Sequence, residues 1–419
     1  MMNFPTQTKR DWLLYWMLLG IVMGIFCGWQ FGEQMRHVEF LGVMFMNALK
    51  AVVIPLIMVL MILGVARLGD VRKLGPIGTY TILYYIATTS IAVLLGLFVT
   101  NLLQPGTGVD LTGAGQAPKI VQDIQASHFT LMDTLTGMIP ANIIASMATM
   151  DVLPIIVVSL VFGAALTTLD QRENLLLPLL ESLNQALMVI VGWIMLFAPI
   201  GVFALVASVL GAEGGGDQVW GQLYKIGKYV LAVLLGLGIH GFLILPLLLW
   251  LLAKRNPRVY GGNMLNALTT AFSTASSAAS LPLSIECVTE KNKVSRQTAT
   301  FVLPIGATIN MDGTALYEAA AALFIAQAYG IDLTATQQGV IFLTATLASI
   351  GAAAIPHAGL FTMILVLNAV GLPLEGISLI FPVDWFLDRC RTTVNIWGDS
   401  VGAAVVERFA PPVELDEIK

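Results

Sequence analysis

Charge is scarce in this sequence: Asp, Glu, Lys and Arg make up only 11% of its 419 residues, against about 25% in soluble proteins. The net charge of −5 gives no reason to expect nucleic acid as a partner, and none is expected. Cysteine is rarer still. Cys27, Cys287 and Cys390 lie far apart with no C-x-x-C spacing, so they read as small apolar fillers, not as a disulfide framework or metal site. No G-x-x-x-x-G-K-[ST] motif occurs, so no nucleotide is expected to supply energy. Lys9 and Arg10 precede the first apolar run, but no A-x-A-like cleavage site follows it. That run reads as a retained first helix.

What is present is apolar surface: 57% of the residues are hydrophobic. Trp12–Trp29, Ala51–Val65, Ile82–Leu103, Leu187–Leu210 and Val230–Ala253 are each long enough, or nearly so, to cross a hydrocarbon core of about 30 Å. A soluble domain cannot hide so many such runs, and an all-α polytopic membrane protein is expected. With a cytoplasmic N-terminus and alternating spans, Lys9, Arg10, Arg67, Arg72, Lys73, Arg172, Lys254, Arg255 and Arg258 all fall inside. The opposite side offers mainly Arg36 and Lys119, with Lys225 and Lys228 near an outer helix start. This is the positive-inside bias, and it sets the orientation.

Beyond Arg258 the simple pattern breaks. "TTAFSTASSAASLPL" (Thr269–Leu283) and "LASIGAAAIPHAG" (Leu347–Gly359) are two small-residue runs, each closed by an apolar residue and proline. Each is followed by a span carrying Asn and Asp, "NMDGT" at 310–314 and "NIWGD" at 395–399. A unit of hairpin and helix therefore occurs twice. Interrupted segments in matching positions of two halves point to a transporter's substrate site, because non-helical backbone at membrane depth survives only against a cavity or protein.

The last span is the most charged. On a helix, Asp384, Asp388, Arg391, Thr392, Asn395 and Asp399 fall within an arc of about 100°. Each charge costs about 2.5–3.5 kcal/mol at the bilayer centre. An ion pair offsets Arg391 against one Asp and leaves the others to be explained. A ligand with an ammonium and carboxylates would pair with Asp and Arg, and the remaining oxygens suit a hard cation such as Na⁺. In the other polar helix Asn310, Thr314 and Glu318 share a stripe, while Asp312 points elsewhere if the helix is intact. Gly313 next to Asp312 favours a local unwinding that frees carbonyls. Glu318 has no basic residue within a helical turn, and burial disfavours a carboxyl's charged form.

"GATINMDGTALYEA" (Gly306–Ala319) and "VDWFLDRCRTTVNIWGDSVGAAVVE" (Val383–Glu407) resemble the glutamate transporter family, the dicarboxylate/amino acid:cation symporters. "STASSAASLP", "SIGAAAIPHAG" and "YYIATT" (Tyr84–Thr89) extend the resemblance over essentially the whole chain. It implies eight transmembrane helices plus two re-entrant helical hairpins arranged as inverted repeats, in a homotrimer within the lipid bilayer of the cell membrane, both termini cytoplasmic. A scaffold would comprise residues 1–76 and 109–215, carrying spans one, two, four and five. A transport (elevator) domain would comprise 77–108 and 216–419, carrying spans three, six, seven and eight with both hairpins.

The resemblance also assigns roles by position. Asp388 would take the substrate's amino group and Arg391 its side-chain carboxylate. Thr392 and Asn395 would complete the contacts, with Thr314 and Ala353 beside the ligand and Ser276 and Ser277 on the α-carboxylate. One Na⁺ would lie among Asp399, Asn395 and the carbonyls of Gly306 and Asn310. A second would use carbonyls of Thr308, Met311, Ser349, Ile350 and Ala352. A third would use Thr88, Thr89, Asn310, Asp312 and the Tyr85 carbonyl. Glu318 would carry a proton.

There are departures from the family pattern. Ala278 lacks a hydroxyl in the first tip, Ala354 stands for a glycine in the second, and the arginine archaeal members carry at the place of Ala275 is here Arg389. His357 is an unusual tip residue and reads as solvent-facing. The function implied is Na⁺-coupled, and also H⁺-coupled, uptake of L-glutamate or L-aspartate, with no enzymatic chemistry. Rival readings within the family are a C4-dicarboxylate carrier, which has less use for Asp388, and a neutral amino acid exchanger, which normally lacks an arginine at the place of Arg391. An intramembrane aspartyl protease would need a GxGD setting that neither "MDGT" nor "WGDS" supplies.

Overall fold

In a computed structural model the described residues are 7–66, 75–108, 136–169, 175–212, 216–350 and 358–410, and no strand occurs among them. Helix α1 (Gln7–Phe31) passes through a 3-10 stretch (Gly32–Val38) into α2 (Glu39–Ala66). Next come α3 (Gly75–Leu103), α4 (Ile143–Thr149), α5 (Val152–Thr167), α6 (Leu176–Ala212) and α7 (Asp217–Ile239). A π turn (His240–Ile244) joins α7 to α8 (Leu245–Leu252). Four stretches, Tyr15–Ala66, Gly75–Leu103, Leu176–Gly211 and Leu223–Leu252, are long and apolar enough to cross a membrane. Leu153–Thr167 and Gly359–Ala369 are shorter apolar helices.

The C-terminal part is built from shorter pieces. Helices α9 (Pro257–Thr274) and α10 (Ser277–Glu286) pack together as a hairpin. Its turn is Ala275, in the left-handed region at φ 49°, followed by extended Ser276, whose side chain caps α10. After a π turn (Cys287–Lys291) come α11 (Arg296–Ile309) and α12 (Asp312–Ala328), separated by non-helical Asn310 and Met311. Helices α13 (Ala335–Ser349) and α14 (Ala358–Ala369) pack as a second hairpin. The long α15 (Ile377–Phe409) ends the described chain. The tip of the second hairpin, with Gly351, Ala352, Ala353, Ala354 and His357, lies outside the described residues, as do Arg67, Arg72, Lys73, Lys119 and Arg172.

Packing sorts the helices into two sets. In the first, α1 and α2 lie along α6, and α5 lies on α2. The α1–α6 seam is set by Gly20, Gly24 and Gly28, one per turn: a Cβ on Gly20 would stand 2.5 Å from the Pro199 carbonyl oxygen. Such residues let two backbones touch where lipid gives no hydrophobic drive for association. In the second set, α3 lies on α12 through Gly96, where a Cβ would stand 2.5 Å from the Leu316 carbonyl oxygen. Around them pack α7, α13 and α15, and the first hairpin packs on α15 and α11. Helix α12 is buried along its whole length except at Gln327, its polar residues included. The sets meet where α15 touches α6 and α14 touches α2. There Lys50 on α2 lies 3.7 Å from Glu375, just before α15.

Candidate substrate and cation site

The polar stripe of α15 faces inward. Asp384, Asp388, Arg391, Thr392, Asn395 and Asp399 are all buried, whereas Arg389, on the flank, reaches out to the first hairpin. There its Nη1 donates to the carbonyls of Phe272 (3.0 Å) and Ser273 (2.6 Å), at the end of α9 where helix carbonyls lack intrahelical partners. Arg389 thereby ties the hairpin turn to the charged helix.

Arg391 is the centre of the first cluster. Its Nη2 donates to Asp388 at 2.7 Å and to Asp384 at 3.0 Å. Its guanidinium carbon stands 3.8 Å from the centre of the Tyr317 ring, a close cation–π contact. The start of α14 closes over it: a Cβ on Gly359 would lie 2.6 Å from Nη1. Among the described residues Nε and Nη1 nonetheless have no hydrogen-bond partner, although both are buried. A buried guanidinium with unmet donors is costly, and its planar fork suits a carboxylate. Nearby, Thr392 Oγ1 donates to the Asp388 carbonyl at 2.8 Å. Asn395 joins α15 to α12, accepting from the Gly313 amide (2.7 Å) and donating to Thr314 Oγ1 (3.2 Å).

The break between α11 and α12 builds the second cluster. Asn310 is not on the Thr314–Glu318 stripe that an unbroken helix would give it. It turns to α15 and α3, donating through Nδ2 to Asp399 at 3.0 Å and accepting from Thr88 (3.2 Å) and Thr89 (3.3 Å). Thr89 also donates to Asp312 Oδ1 at 2.8 Å. Thr88 also lies within 3.3 Å of the Tyr85 carbonyl. Gly306 is required here, because any Cβ would collide with Asp399 Oδ1 and the Tyr85 hydroxyl. The cluster thus gathers two carboxylates, an amide and two hydroxyls, all hard oxygen donors.

One residue missing from the sequence reading completes this cluster. His240, at the head of the π turn, places Nε2 3.0 Å from Asp312 Oδ2, with both side chains fully buried. The π turn also leaves the Gly241 carbonyl to accept from Trp397 Nε1 at 2.9 Å, and such turns recur at functional sites. A lone imidazole inside the apolar run "GLGIHGF" was the available signal, since ionisable residues within a span mark function by default.

Other expected residues are placed more loosely. Ser276 and Ser277 are buried at the start of α10, and the Ser276 hydroxyl accepts from the Ala279 amide. Ser349 and Ile350 end α13, the Ile350 carbonyl lying against Gly64 on α2. Thr308 lies just before the helix break and Met311 within it, and among the described residues no hydrogen bond joins them to Ser349 or Ile350. A single ion pair does not describe the charge balance of the stripe. Arg391 holds both Asp384 and Asp388, and Asp312 and Asp399 have His240, Thr89 and Asn310. Among the described residues, the unmet buried atoms of this region are Arg391 Nε and Nη1, Glu318 Oε2, His240 Nδ1 and the hydroxyls of Tyr229 and Tyr317.

Comparison with known proteins follows this geometry. Residues 13–409 match the sodium:dicarboxylate symporter family. Excitatory amino acid transporter 3 of Mus musculus is 37% identical, over 100% of this chain and 90% of its own length. Excitatory amino acid transporter 1 of Ambystoma tigrinum is 36% identical, over 96% of this chain and 84% of its own. Excitatory amino acid transporter 3 of Homo sapiens is 36% identical, over 98% and 87%. With its apolar helices and a match across nearly the whole chain, this membrane protein belongs to the sodium:dicarboxylate symporter family.

Proposed function

We propose that the chain is a secondary active symporter that takes up L-glutamate or L-aspartate with Na⁺ and H⁺. The observation that carries this reading is Arg391, buried with Nε and Nη1 unpaired among the described residues and with the Asp388 carboxylate 2.7 Å from Nη2. A substrate carboxylate would meet the free N–H groups, and its ammonium would take Asp388. A ligand with acid and amine at opposite ends satisfies both, which a C4-dicarboxylate does not. Thr314, Thr392 and Asn395 line the same seam, with Ser276 and Ser277 from the first hairpin; Ala353, assigned to the ligand by resemblance, lies outside the described residues.

Sodium is cargo in this reading. The oxygens of Thr88, Thr89, Asn310, Asp312 and the Tyr85 carbonyl form one cradle, and His240 keeps Asp312 turned toward it. Asp399, Asn395, Gly306 and Asn310 form another, and Thr308, Met311, Ser349, Ile350 and Ala352 a third. Glu318 carries the proton. A cation beneath the second hairpin favours its closure over substrate, so the carrier moves fully loaded or empty. The set of α1, α2, α5 and α6 serves as scaffold of a homotrimer with eight spans and two re-entrant hairpins. The set around α12 and α15 moves as the elevator in the cell membrane, with both termini cytoplasmic.

The test is radiolabelled aspartate uptake into proteoliposomes, with Na⁺, H⁺ and K⁺ gradients imposed separately. Uptake is expected with inward Na⁺ and to be lost in Arg391→Cys. Undiminished aspartate transport by that variant would remove Arg391 from its role. Competition by succinate in preference to aspartate would favour the dicarboxylate carrier.

A further inference from the structure

Glu318 and Thr362 meet across the interface of α12 and α14, and both are fully or almost fully buried. The Thr362 hydroxyl donates to Glu318 Oε1, while Oε2 has no partner among the described residues. Thr362 Oγ1 also lies 3.4 Å from the Gly359 carbonyl one turn back. Gly359 is the residue pressed against Arg391 Nη1. The start of α14 therefore touches both the carboxyl and the guanidinium, each of which has polar atoms with no partner among the described residues.

We propose that Thr362 is a positioning residue for Glu318, giving the carboxyl a partner in both of its protonation states and so keeping α14 seated while the proton comes and goes. The inference rests on the reading of Glu318 as proton carrier. A hydroxyl offers one donor and two acceptor sites and rotates freely. Facing an ionised carboxylate, it donates to Oε1. Facing a protonated one, it accepts the acid proton and turns its own hydrogen to the Gly359 carbonyl. Neither state leaves a stranded donor on α14. No other described hydrogen bond reaches Glu318, so without the hydroxyl the ionised form would be a buried carboxylate with no donor, a costly state. The other ionisable groups around it are Arg391, Asp384 and Asp388 on α15, Tyr317 on α12 and Tyr229 on α7. Helices α13 and α14 contribute none, and the tyrosines of α3 nearest the buried acids, Tyr84 and Tyr85, bond to Gly398 and Val302.

The test compares wild type, Thr362→Val, Thr362→Ser and Glu318→Gln as purified full-length protein. The infrared carboxylic-acid band of Glu318, identified by its loss in Glu318→Gln, is followed against pH. Thr362→Val is expected to keep the band to a pH about one unit higher, as loss of one hydrogen bond to a charged group implies. Thr362→Ser is expected to titrate with wild type. In proteoliposomes Thr362→Val should lose about tenfold in net uptake while aspartate exchange stays within about twofold. A valine variant titrating like wild type, or a serine variant behaving like valine, overturns the proposal. Absence of aspartate transport in wild type would fail the functional reading, and the infrared comparison would still decide the part played by Thr362.

Discussion

Glu318 is a carboxyl wholly out of contact with solvent, held on one oxygen by a hydroxyl from another helix. Glutamine there keeps the shape and cannot take up a proton. Glu318→Gln is expected to leave Na⁺-driven exchange within about twofold of wild type and to flatten the pH profile of net uptake. In wild type, net uptake should fall as external pH rises, since the co-transported proton becomes scarce; the same fall in the variant would refute the assignment. Single residues were legible in proportion to how local their chemistry is. The stripe from Asp384 to Asp399 could be read because helical period alone brings it together. Thr362 could not, because its partner lies 44 positions away and a threonine in an apolar helix looks the same whether or not it meets a carboxyl. Asp384 was read as part of the stripe but not as the second acid on Arg391, since reach across seven positions depends on side-chain geometry.

Helix ends, not helix middles, make the site. The break at Asn310 and Met311 was signalled by Asp312-Gly313, and the two hairpins by small residues closed with Leu-Pro and Ile-Pro. The π turn at His240 was not legible, because one extra residue in a turn leaves hydropathy unchanged. The first hairpin bends at Ala275, an L-residue held in the left-handed region, at a cost of about 1 kcal/mol where glycine would pass freely. Ala275→Gly is therefore expected to stabilise the protein by about 1 kcal/mol, read as a higher melting temperature. An unchanged or lower melting temperature would show that the tip is held by contacts a methyl supplies.

The whole molecule is two sets of helices with interleaved sequence. Between them Lys50 and Glu375 form a half-exposed pair, worth about 0.2–1 kcal/mol. Lys50→Glu is expected to change the turnover of net uptake by about 1.5- to 5-fold, and Lys50→Glu with Glu375→Lys together to restore it. Equal rates in all three proteins would mean that the pair breaks and forms without consequence for transport. The interleaving has a further consequence at the ribosome. Helix α3 emerges early, yet the residues that satisfy Thr88 and Thr89 belong to a segment more than two hundred positions downstream. Synthesis runs from the N-terminus, and distant pairings are slow to form. A nascent chain that stalls before Asn310 therefore leaves Thr88 and Thr89 without their partners across the bundle, and Thr88 falls back on the Tyr84 and Tyr85 carbonyls of its own helix.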